Sequence, residues 1–87
     1  MKKYIVTQDV DEVIEFQGSI VIVEPYKKRE DYIIGMEFYV GKSKAHIILG
    51  YYSCEKMAKA VFCSILGFLN SDYAKLFYMP EDRNEEV

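Results

Sequence analysis

Residues 44–69 read KAHIILGYYSCEKMAKAVFCSILGFL, and this stretch decides the fold class. Its first part alternates as a strand does. Ala45, Ile47 and Leu49 share one face, and Lys44, His46 and Ile48 share the other. Past Gly50 the apolar spacing becomes helical, from about Cys54 to Leu69. Ser53 is the expected N-cap, because a serine hydroxyl accepts from an orphan N–H of the first turn. Glu55 lies in that turn and suits the positive end of the helix dipole. Asn70-Ser71-Asp72 terminate the helix.

Upstream of this stretch the chain reads as strands. Tyr4-Ile5-Val6 is the first, broken by the acidic run from Gln8 to Glu12. Val13 to Phe16 follows, then Gln17-Gly18 as a hairpin turn, then Ser19 to Glu24. Pro25 ends pairing because it has no N–H to donate. The longest strand runs from Tyr32 to Val40, with Tyr32, Ile34, Met36, Phe38 and Val40 on one face. Gly41-Lys42-Ser43 turns it back. The expected fold is α+β: an antiparallel β-meander of about five strands with a C-terminal α-helix packed on one face. Tyr73 to Met79 reads either as a short last strand or as an extended tail on the sheet, and Pro80 stops it. A single domain over residues 1–80 is expected, with 81–87 a disordered acidic tail.

Composition narrows the function classes. The chain has 87 residues, which is one domain. A formal net charge of -3 argues against generic nucleic-acid binding, which favours a basic surface. No apolar run approaches the ~18 residues that a membrane span needs. The opening MKKYIVTQD has two lysines but no apolar core, so no signal peptide is expected. Cys54 and Cys63 would face opposite sides of a helix at ~100° per residue, so free thiols and a cytoplasmic location are expected.

The helix has more apolar surface than one small sheet requires. Ala58, Phe62, Ile65, Leu66 and Leu69 form the stripe expected to seal the sheet. Met57, Val61 and Phe68 form a second flank, and Ala60, Cys63, Ser64 and Gly67 form a third side of small residues. Two readings follow. The segment from Ala74 to Met79 covers the flank, or the helix packs on a second copy through Met57, Ala60, Val61, Cys63, Ser64, Gly67 and Phe68.

Chemistry is sparse. His46 and Cys54 are the one conceivable catalytic pair, with Cys54 at the first helical position, but no third residue orients them. No metal-ligand spacing and no cofactor motif is present. Lys27-Lys28-Arg29, beside Tyr26 and Tyr32, is the one dense basic cluster. It reads as a solubilising loop, or as an anion site where a tyrosine stacks a nucleotide base.

Several segments, taken in order, resemble a group of small uncharacterised proteins encoded by Firmicutes and their phages or integrated elements. They are YIVTQD at 4–9, VIEF at 13–16, SIVIV at 19–23, HIILGYYSCEKMAKAVF at 46–62 and YMPED at 78–82. The resemblance implies a mobile-element accessory protein that acts by binding, for example by inhibiting a host-defence protein. The expected function is a non-enzymatic interaction module working as a homo-oligomer. The alternative is a protein that binds or sequesters a nucleotide through the basic loop.

Overall fold

The computed structural model describes residues 2–25 and 31–82. In chain order these form β1 (Tyr4–Val6), β2 (Val13–Glu15), β3 (Ser19–Val23), β4 (Tyr32–Val40), β5 (Ser43–Tyr52), α1 (Glu55–Asn70) and β6 (Leu76–Tyr78). The α+β class holds, and the short last strand is present. The strands divide into two sheets, however, where the sequence suggested one continuous meander. The larger has the order β3-β4-β5 and the smaller β2-β1-β6. The larger is antiparallel throughout. In the smaller, β1 pairs antiparallel with β2 and parallel with β6.

The division falls at Gly18, which is no hairpin turn. Its φ is +74°, and a Cβ there would stand 1.9 Å from the carbonyl oxygen of Glu37. Only glycine lets the chain run this close to the β4 backbone. β3 therefore pairs with β4 and does not fold back on β2. The Gln17 N–H at this crossing points to Met36 Sδ at 3.4 Å.

β5 runs three residues further than its alternation suggests, through Gly50 to Tyr52. A bulge makes this possible. Ile34 pairs with Gly50 and Gly35 with Ile48, so Leu49 has no partner on β4. One extra residue exchanges the two faces of everything beyond it. Leu49 and Tyr52 consequently both point inward and are fully buried, while Tyr51 points out.

The helix cap differs from expectation by one residue. Cys54 is the N-cap, and its Sγ accepts from the Met57 N–H at 3.4 Å. Ser53 Oγ is buried with no hydrogen-bond partner among the described residues. Its backbone N–H instead donates to Asp82 Oδ2 at 3.1 Å. At the other end α1 has no basic residue in its last turn. Lys3 supplies the cation from outside the helix. Its ammonium donates to the carbonyls of Phe68 (3.1 Å), Ser71 (2.7 Å) and Ala74.

α1 lies across the inner face of the larger sheet, with the smaller sheet walling one side. Ala58, Val61, Ile65 and Phe68 are its buried residues. This line is rotated from the expected stripe, because Phe68 turns toward the second wall and meets Phe77 of β6 at 5.4 Å between ring centroids. Leu66 is left 42% exposed. Ile5, Ile34, Met36 and Ile65 are completely buried, each contributing roughly 1.5–3 kcal/mol.

Candidate interaction surface

The face of the larger sheet turned away from α1 is apolar. Register builds it in two rows. Val21, Gly35 and Ile48 lie side by side across the three strands, and Val23, Ile33 and Tyr51 form the next row. The alternate residues Ile20, Ile22, Ile34 and Met36 belong to the helix-covered core. Val23, Ile48 and Tyr51 are exposed, and Val21 and Ile33 are half-buried by their neighbours. Gly35 carries no side chain and is buried between Val21 and Ile48. Toward the β4–β5 turn the face becomes polar. Glu37 receives Lys44 Nζ at 3.1 Å and His46 Nε2 at 3.7 Å, and Tyr39 beside them is exposed.

Beside the second row the two sheets are joined by Gln8. Its backbone N–H donates to the carbonyl of the bulged Leu49 at 2.9 Å. Its side-chain Nε2 donates to the Tyr51 carbonyl, and its Oε1 accepts from the Tyr51 N–H, both at 2.8 Å. The amide thus closes this end of the β5 edge. Below it, Tyr52 Oη donates to the Pro80 carbonyl at 2.7 Å. Burial pushes the Tyr52 hydroxyl pKa well above its ordinary value, and the Asp82 carboxylate adds to the shift. The segments YIVTQD, HIILGYYS and YMPED meet at this junction, and their contacts there are structural. Residue 82, expected in the tail, is held by Ser53.

The β1–β2 loop borders the same place. Asp9, Asp11 and Glu12 share a shallow depression with Ile48 and Tyr51. Among the described residues none of these three carboxylates pairs with a cation. Thr7 Oγ1 donates to Asp11 Oδ1 at 2.8 Å and shapes the loop. Val10 at its tip has φ +58° and is exposed.

The residues singled out by sequence fall elsewhere. Val61 and Phe68 are inside the core, so they cannot belong to a free helix surface. The smaller sheet supplies the cover that the helix flank seemed to lack. Met57 is half-buried, and Ala60, Cys63, Ser64 and Gly67 are exposed. Ser64 Oγ donates back to the Ala60 carbonyl at 3.1 Å. Tyr26, Lys27, Lys28 and Arg29 lie outside the described residues. Tyr32 packs at the helix N-terminus, where its hydroxyl donates to Glu55 Oε2 at 3.4 Å. Desolvation and the Glu55 carboxylate raise its pKa. Hydrogen bonding to Lys59, and that residue's charge, lower the pKa of Glu55.

The structure separates the one possible catalytic pair. His46 sits near the turn end of β5, and Cys54 lies beyond its other end, roughly 20 Å of strand away at ~3.3 Å per residue. Both cysteines are free and exposed. Among the described residues no group of three or more His, Cys, Asp or Glu is placed to hold a metal ion, and no helix is long and apolar enough to cross a membrane.

The open face was missed by sequence reasoning, although a signal for it exists. A strand with one solvated face should alternate apolar and polar residues. Ile20-Val21-Ile22-Val23 is apolar on both faces, as is Ile33-Ile34. No family model, curated protein or solved structure matches the chain.

Proposed function

We propose that this protein is a non-catalytic interaction module that engages a partner protein through the open face of the β3-β4-β5 sheet. The observation that supports this is the contiguous apolar surface of Val21, Val23, Ile33, Ile48 and Tyr51 on one side of a sheet whose other side is already sealed. Contiguous exposed apolar surface on a small soluble domain marks contact sites. The resemblance to Firmicutes phage and mobile-element proteins supports a role as an accessory factor, such as an inhibitor of a host-defence protein.

Ile48→Lys tests the reading. The side chain is exposed, so the fold should survive, while a charge is placed in the middle of the surface. Wild-type and variant proteins serve as paired baits in a Firmicutes host lysate. A prey held by the wild type and lost from the variant is the expected result. A prey retained equally by both would locate binding elsewhere. Light scattering of the same two proteins tests the homo-oligomer, which should be present in the wild type and weakened in the variant if the copies meet on this face.

A further inference from the structure

We infer that the partner presents a basic amphipathic segment, with aliphatic residues lying on Val21, Ile33 and Ile48 and an arginine or lysine entering the depression between Tyr51 and the β1–β2 loop. This deepens the sheet-face reading and rests on it.

Three observations carry the choice of occupant. The apolar surface is narrow. Three strands about 4.8 Å apart and two rows of side chains span roughly 15 Å by 10 Å, close to the width of one helix or a short extended segment. That is far short of the ~800 Å² per partner of a standard stable interface, so a second copy is poorly served by it. Among the described residues, the charge at the Ile48–Tyr51 edge of this surface has one sign, while Glu37 near the β4–β5 turn is already paired with Lys44. Asp9, Asp11 and Glu12 border Ile48 and Tyr51 in a single depression of about 200 Å³, with no cation paired to them among the described residues. A second copy of this acidic chain would bring net negative charge to the surface, whereas a cationic side chain would neutralise it.

The shape suits such a side chain. Lys and Arg bury their aliphatic stems along apolar surface while the head stays at polar groups. Tyr51 and Ile48 offer the floor for the stem. The carboxylates at the rim offer acceptors for the head, and guanidinium binds a carboxylate through two parallel hydrogen bonds.

The test is selection of a random dodecapeptide library on the immobilised full chain, followed by binding measurements with the recovered peptides. Peptides that combine Arg or Lys with aliphatic residues should dominate. Their affinity should fall about fivefold in Asp9→Asn/Glu12→Gln, a change expected from two exposed charge pairs, and the difference should shrink in high salt. It should vanish in Ile48→Lys. Asp11 is left intact because it holds Thr7, and a thermal melt confirms that each variant is folded. Apolar peptides with no basic preference, lost in Ile48→Lys but unaffected by Asp9→Asn/Glu12→Gln, would overturn this inference and leave the sheet face standing. Self-association abolished by Ile48→Lys, with no peptide recovered, would do the same. Peptides insensitive to every variant, or no peptide and no self-association, would overturn both.

Discussion

Lys3 engages Phe68 twice: its ammonium donates to the Phe68 carbonyl at 3.1 Å and stands 4.8 Å from the centroid of the Phe68 ring. A residue of the N-terminal segment thus caps the C-terminus of the only helix among the described residues. Hydrogen bonds to a charged donor contribute ~1.5–3 kcal/mol, and the aromatic face adds a smaller amount. Lys3→Met should therefore destabilise the protein by about 2 kcal/mol. At roughly 4–8 °C per kcal/mol for a domain of this size, the thermal midpoint should fall by about 8–16 °C. Lys3→Arg should recover only part of this, because a planar guanidinium cannot point three donors at three carbonyls as an ammonium does.

Two glycines should respond in opposite ways to alanine. Gly18→Ala forces a Cβ into the Glu37 carbonyl at a positive φ, so a loss of at least about 3 kcal/mol is expected. Gly67 lies in α1 with nothing within 4 Å of where its Cβ would stand. Gly67→Ala should raise stability by ~0.5–1 kcal/mol. Gly67→Leu should fold as well, so a change in its oligomeric state would report on the small-residue side of the helix and not on folding. Chemical denaturation reads all three.

Tyr52 predicts a specific alkaline transition. Its folded pKa is raised above the unfolded value of ~10 by burial, so the neutral phenol is the form that the fold favours. The folded state binds the proton more tightly than the unfolded chain. Stability linked to this group is complete below pH ~10 and declines as pH rises above it. Tyr52→Phe should flatten that decline, and should cost ~0.5–1.5 kcal/mol at neutral pH for the lost bond to Pro80. Unfolding free energies measured between pH 7 and 11 provide the check.

At the helix N-terminus, the residue that looks like the cap should be dispensable. Ser53→Ala removes a buried hydroxyl that has no partner among the described residues, so stability should stay within ~0.5 kcal/mol or rise. Cys54→Ser replaces a weak sulfur acceptor with a hydroxyl at the true N-cap and should stabilise by ~0.5–1 kcal/mol. Thermal unfolding of the two single variants distinguishes the capping roles.

These contrasts show which parts of the fold could be read from the chain. The β4 alternation and the existence of the helix were legible, because each is a local period carried by consecutive residues. The one-residue shift in the cap was not, since Ser53 and Cys54 both carry an acceptor, and only the path through the Leu49 bulge decides which one faces Met57. The split into two sheets was not legible either. Gly18 has the same local signature in a hairpin as in a crossing between sheets; the difference lies in Glu37, nineteen residues on. The open apolar face of the larger sheet was obscured for a related reason. Apolar residues on both faces of β3 mean either burial on both sides or an unfilled contact, and sequence alone does not separate the two.

The parallel pairing of β1 with β6 has a consequence for how the molecule assembles. β4 and β5 can zip together from a tight turn, whereas Tyr4 finds Leu76 only after almost the whole described chain has been laid down between them. Loop closure of that length places the smaller sheet late in folding, after the larger sheet and α1 have met. Until it closes, Phe68 has no Phe77 and the helix end has no Lys3. The first and last strands therefore act as a clasp, and the molecule is expected to loosen first where its two ends meet.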